Sequence, residues 1–324
     1  MSKLIDYRKE GNTGLIRLDR PEVYNALNTA MISRFGEALE ALKQDDEVAL
    51  ILVESDHPKA FCAGGDMRTI RDLALAGRDR DCETFFATEY AVNLAIGHLE
   101  KPYVALIDGI CMGGGIGLSV HGRFRVATEK ARFAMPECKL GFFPDIGGSF
   151  FLPRVPDQVG PYLALSGETI SGEDALAAGL ATHFVRSEKL PDLRRALIDA
   201  PGKVGATLAD FAETPPVGPL QERLGDIKRV FSAESVAGVK AALADHGDDW
   251  SHKTLEQINA GSPLSVDLTW AMLERGRQLD LAACLEADLA TTRLMIRHPD
   301  FIEGTRAILV DKDRKPSWTT TPAE

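Results

Sequence analysis

Apolar residues recur along this chain in two rhythms. Short runs rich in branched apolar residues fall at Gly14 to Leu18, Val48 to Val53 and Tyr103 to Ile107, and each reads as a buried strand. Between them lie stretches with helical spacing. In Thr29 to Lys43, Met31, Phe35, Leu39 and Leu42 fall at intervals of four, four and three. That spacing puts them on one buried face of a helix capped by Asn28 or Thr29. Strands alternating with helices predict an α/β fold. From about Pro191 the strand signal fades, and Ala, Leu and charged residues at helical spacing run through Leu309. The expected division is therefore a core over residues 1–200 and a helical C-terminal region over residues 201–324. Thr214 to Pro219 and Gly261 to Pro263 concentrate residues that break regular structure and read as linkers.

A chain of 324 residues with 44% hydrophobic composition can bury a full core without staples. Its five cysteines (Cys62, Cys82, Cys111, Cys138, Cys284) are an odd number with no CxxC pair. That argues against a disulfide framework and a structural zinc site, and points to a reducing cytoplasm. The start, MSKLIDYRKEGNTG, has neither the apolar core of a signal peptide nor the Arg/Ser-rich character of a transit peptide. No apolar run approaches the ~20 residues of a membrane span. A net charge of −11 without a basic patch disfavours nucleic acid as a partner. It leaves room for a small anion held by local amides and a few basic side chains.

Three glycine-bearing loops carry the candidate chemistry. Ala60 to Met67 (AFCAGGDM) follows a strand, and its paired glycines can present amide N–H groups where a side chain would block a ligand. Taken alone, this segment is better explained as a tight structural turn. Ile107 to Leu118 (IDGICMGGGIGL) runs from a strand through three successive glycines into a buried helix, a setting that favours an anion at unsatisfied N–H groups. It is not a dinucleotide fingerprint, because Leu118 or Val120 stands where the last glycine is required. Nor is it a nucleophile elbow, since His121 replaces the closing glycine after Ser119. Ser119 and His121 lie two apart, on different helix faces, and read as structural. Phe133 to Ser149 (FAMPECKLGFFPDIGGS) sets Glu137 and Asp145 among apolar residues, glycines and prolines. Composition leaves two readings open: exposed turn residues, or buried carboxylates poised as acid, base or nucleophile.

In this order and spacing the three loops resemble the crotonase (enoyl-CoA hydratase/isomerase) superfamily over nearly the whole chain. Lys101 to Glu137, Leu140 to Arg154 and Asp300 to Trp318 look most like its 3-hydroxyisobutyryl-CoA hydrolase group. The fold so implied is a crotonase-like spiral of ββα turns whose C-terminal helices help cover the site. The resemblance places the oxyanion hole, two main-chain amides gripping the thioester carbonyl, on Gly65 and Gly114. It runs the CoA moiety past Tyr24 to Leu27 and Lys59 to Ala63, with Tyr24, Ala26, Ala63 and Asp66 as contacts. An acyl-CoA is then the substrate, and no metal or redox cofactor is expected. Hydratases of the superfamily assemble into trimers and hexamers, so the resemblance admits a homo-oligomer, whereas a helical tail over the site would make assembly unnecessary.

Hydratases of this family use two glutamates about one water, since adding H and OH across a double bond needs a base and an acid. The first corresponds to Gly117 here, which holds no proton; the second corresponds to Glu137. The hydrolase group instead matches Glu137 and Asp145, with Glu89 as its substrate-contacting glutamate. The resemblance thus implies cleavage of a 3-hydroxyacyl-CoA, Glu137 acting as nucleophile or as the base that activates water, while Asp145 and Glu89 hold water or the 3-hydroxyl. Two other readings stand beside it: a hydratase or isomerase with a relocated acid, and a noncatalytic acyl-CoA-binding protein.

Overall fold

The computed structural model describes residues 4–319; residues 1–3 and 320–324, the extremes of the two expected regions, lie outside the described residues. The strands in chain order are β1 (Leu4–Glu10), β2 (Thr13–Asp19), β3 (Leu50–Ser55), β4 (Ala60–Cys62), β5 (Tyr103–Ile107), β6 (Ile110–Met112), β7 (Phe124–Ala127), β8 (Arg132–Ala134), β9 (Ile170–Ser171) and β10 (His183–Phe184). Six form one sheet in the order β1-β2-β3-β5-β7-β10, and four form a smaller one in the order β4-β6-β8-β9. In the large sheet β1 and β2 run antiparallel, and the remaining pairs are parallel. The chain visits the large sheet and then the small one in β3/β4, β5/β6 and β7/β8, with helices Asp79–Gly97 and Gly114–Val120 in the intervals. This is the spiral that the resemblance implies.

The central strands β3 and β5 are buried along nearly their whole length, residues of both faces included. Leu15, Leu50, Leu52, Val104, Leu106 and Val126 pack against Leu193, Leu197, Val204 and Leu208 of the helices Leu190–Asp199 and Val204–Phe211. The helix Thr29–Gln44 starts where its spacing predicts, with the Asn28 side chain accepting from the Met31 amide at 2.9 Å. Its Met31, Phe35, Leu39 and Leu42 are all buried.

The chain forms two compact units that interleave along the sequence. The first comprises residues 1–65, 91–133 and 170–221 and holds both sheets; the second comprises residues 66–90, 134–169 and 222–324 and is largely helical. The expected boundary at residue 200 falls inside the first unit, whereas the Pro/Gly segment Thr214 to Pro219 ends just before the last crossing. No helix among the described residues is long and apolar enough to cross a membrane.

Candidate active site

Within the first unit the two glycine loops lie backbone against backbone. Strands β4 and β6 pair in parallel, Ala60 opposite Ile110 and Cys62 opposite Cys111. A Cβ on Gly64, which has φ +97°, would come within 2.8 Å of the Met112 carbonyl oxygen and 3.4 Å of the Gly114 nitrogen. One on Gly115 would overlap the Cys62 oxygen at 2.3 Å. Glycine is therefore required by close approach as well as by φ. Gly114 is the first residue of the helix Gly114–Val120, so its N–H lies outside the helical ladder. Gly65 bridges Leu27, and the Leu27 amide donates to Gly64 O at 2.8 Å. Gly117 sits buried in that helix. The Ser119 hydroxyl is spent on the Ile116 and Gly115 carbonyls at 3.0 and 3.3 Å, in keeping with a structural role.

Of the expected CoA contacts, Tyr24 and Ala26 lie in a turn pinned by the Asn25 side chain. Tyr24 and Asn25 both adopt left-handed φ, 55° and 58°, and the Tyr24 ring stands 44% exposed beside His57, centroids 5.0 Å apart. Asn25, fully buried, accepts from the Arg20 amide at 2.8 Å and donates to Ser55 Oγ at 2.8 Å and Phe61 O at 2.9 Å. The Ala63 amide donates to Tyr24 O at 3.0 Å. Both backbone groups of Ala26 are engaged, its N–H on Val23 O at 3.0 Å and its carbonyl by Arg20 at 2.8 Å. Asp66, which belongs to the second unit, caps the helix Met67–Leu75 by accepting from the Thr69 amide at 3.2 Å.

The second unit gathers the acids. Glu89, Glu137 and Asp145 are only 2%, 5% and 5% exposed, so the buried reading of the carboxylates holds. Burial lifts Glu89 well above the usual carboxylate range, and the charges of Asp145 and Glu137 push it further. Burial likewise raises Glu137, with Asp145 adding to the effect. Asp145 is lifted by burial to about 7, opposed by hydrogen bonds from the Tyr90 hydroxyl and from its own backbone amide. Glu89 Oε1 and Glu137 Oε2 find no hydrogen-bond partner among the described residues, an expensive condition for buried oxygens that an arriving ligand would relieve. The stacked rings of Phe86, Phe142 and Phe143, with Phe301 against Phe142, supply the apolar surroundings. Among the described residues no group of three or more His, Cys, Asp and Glu is arranged to hold a metal ion.

Glu137 opens a short 3-10 turn, Glu137–Leu140, seated on the C-terminal chain. A Cβ on Gly141, at φ +68°, would meet the Asp300 oxygen at 2.1 Å, and one on Gly304 would meet the Leu140 carbonyl carbon at 2.4 Å. The Asp300 to Gly304 part of the C-terminal signature thus supports the turn that carries Glu137. Reading the sequence alone misses Asn25, Tyr90, Asp288 and Thr292. The Tyr90 hydroxyl donates to Asp145 Oδ2 at 2.8 Å and shares a 2.9 Å bond with Thr292 Oγ1, while Asp288 accepts from the Gly147 amide at 2.8 Å. Thr88-Glu-Tyr90 was the only local signal, and it draws attention to the glutamate rather than the tyrosine.

Comparison with known proteins agrees with this geometry. A profile of the enoyl-CoA hydratase/isomerase family matches residues 13–324. The mitochondrial 3-hydroxyisobutyryl-CoA hydrolase of Gallus gallus is 43% identical over 98% of this chain and 84% of its own length. That of Homo sapiens is 42% identical over 96% of this chain and 82% of its own length. Among solved structures, a carnitinyl-CoA dehydratase from Mycobacterium thermoresistibile superposes with a TM-score of 0.92 at 35% identity, covering 98% of this chain and 91% of its own. An enoyl-CoA hydratase from Rhodobacter sphaeroides gives 0.91 at 34% identity, covering 99% and 94%. With glycine loops, buried acids and a near-complete match in agreement, this chain belongs to the enoyl-CoA hydratase/isomerase family, the crotonase superfamily.

Proposed function

We propose that this chain hydrolyses a short 3-hydroxyacyl-CoA thioester, converting 3-hydroxyisobutyryl-CoA and water to 3-hydroxyisobutyrate and CoA, a step of valine breakdown. The observation that carries the reading is the buried set Glu89, Glu137 and Asp145, where Asp145 raises the proton affinity of both glutamates and Glu137 keeps one oxygen unpartnered among the described residues. Family resemblance supplies the roles. The Gly65 and Gly114 amides hold the carbonyl oxygen, and preorganised donors of that kind contribute about 3–4 kcal/mol each to the transition state. Glu137 either attacks the carbonyl carbon, expelling CoA thiolate and leaving a mixed anhydride that water opens, or draws a proton from the attacking water. Asp145 orients water or the 3-hydroxyl, and Glu89 holds that hydroxyl. No metal or redox cofactor is required, because a thioester carbonyl is already electrophilic once its oxygen is held. The five free cysteines suit a reducing compartment; the cytoplasm is the expectation from the sequence, whereas the chicken and human relatives are named mitochondrial.

A hydratase is the second reading, favoured by the names of two solved structures similar in shape. Against it stands Gly117, buried and without a side chain, at the place of the first hydratase glutamate. One preparation tests both. Thiol release from 3-hydroxyisobutyryl-CoA should greatly exceed hydration of crotonyl-CoA, and butyryl-CoA should be cleaved far more slowly, because a site built for a hydroxyl is left with stranded polar groups when it is missing. Rapid hydration without thiol release would establish the second reading instead.

A further inference from the structure

The helix Leu281–Met295 presents Asp288 and Thr292 four residues apart, on one face, and both are fully buried. They grip the segment around Asp145 at two points. Asp288 accepts from the Gly147 amide at 2.8 Å and, at a long 3.4 Å, from the Ser149 hydroxyl. Between these anchors and Asp145 lies Ile146 at φ 54°, a β-branched residue in the left-handed region. Such a conformation persists only where the surroundings impose it. Thr292 acts through Tyr90. A phenol has a single proton, and that of Tyr90 goes to Asp145 Oδ2 at 2.8 Å. The 2.9 Å bond between the two hydroxyls must then be donated by Thr292.

The groups acting on Asp145 are otherwise acidic. Glu89 comes from the same helix as Tyr90, Glu137 from the 3-10 turn, and Asp288 from the C-terminal helix. None of the four acids has an ion-pair partner among the described residues. The groups that favour the charge on Asp145 among the described residues are its own backbone amide and the Tyr90 hydroxyl. We propose that Tyr90 and Thr292 are positioning residues: a directed hydrogen-bond chain, Thr292 to Tyr90 to Asp145, places the first negative charge of the acid cluster on Asp145. What that charge does in turnover rests on the hydrolase reading; the chain itself rests on the geometry.

Two variants and two readouts test it. Tyr90→Phe removes the donor and Thr292→Val removes only the group that polarises it. The first readout is the acid limb of kcat/KM for CoA release from 3-hydroxyisobutyryl-CoA. The second, independent of turnover, is the titration of the Asp145 carboxyl carbon in protein labelled with 13C-aspartate, assigned by loss of its signal in Asp145→Asn. A hydrogen bond to a charged group is worth enough to move both upward by about one pH unit in Tyr90→Phe, and Thr292→Val should move them less, in the same direction. Should Tyr90→Phe fail to fold, Thr292→Val still decides. Activity lost at every pH with the Asp145 titration unmoved would reduce both residues to structural roles and overturn the proposal. If the wild type releases no CoA yet the titration shifts, the hydrolase reading fails and the chain stands; normal release with an unmoved titration gives the reverse.

Discussion

Glu89 shows how much stability this fold gives up to keep acids out of water. Its folded carboxyl holds a proton more tightly than the unfolded one, because burial and the charges of Asp145 and Glu137 oppose ionisation. Stability is therefore fully present below the unfolded value, about 4.3, and is lost as pH rises from there toward the folded value. Glu89→Gln should melt with the wild type in acid and at a higher temperature than the wild type in mild alkali, as thermal unfolding across pH would read. An equal gap at every pH would mean that packing, not ionisation, separates them. The acids themselves were legible, since Glu137, Asp145 and Glu89 fall on motif positions eight residues apart or beside a recognisable Thr-Glu-Tyr. Their supports were not. Tyr90 reaches Asp145 across 55 positions and Thr292 across 202, and hydrogen bonds at such separation leave no periodicity to read.

At the scale of elements, the turn carrying Glu137 is positioned by contact with the C-terminal chain. The close approach of Gly304 to Leu140 and of Gly141 to Asp300 leaves no room for a methyl group at either glycine. Asp300 in turn is fully buried, accepting from Ser262 Oγ at 2.5 Å and from the Thr319 amide at 2.8 Å. Gly304→Ala should cost about 1–3 kcal/mol in denaturant unfolding, the usual range for forced overpacking, and lower kcat by displacing Glu137. Wild-type stability in that variant would show that the two backbones can part freely. The long helices were legible because each buries one stripe, as in Thr29–Gln44. The strand β1 was not, for it buries Ile5 alone among half-exposed and exposed neighbours. Strands of two or three residues, β4, β6, β8, β9 and β10, exist through their pairing rather than any local run.

Across the whole molecule the chain builds two compact units by crossing between them several times, an arrangement that no local composition shift announces. The reading from sequence divided the chain once, because helical periodicity replaces strand signal near Pro191; yet helix Val204–Phe211 packs on the large sheet and belongs with it. What the family resemblance conveys correctly is the fold, a spiral of paired strands with a helical C-terminal region. The most direct test of the account is kcat for CoA release from 3-hydroxyisobutyryl-CoA by the wild type and by Glu137→Gln, with substrate binding followed in parallel. Loss of a positioned acid or base is expected to lower kcat on the order of 100-fold or more while binding persists. Release at the wild-type rate by Glu137→Gln would contradict the central claim that this buried glutamate breaks the thioester.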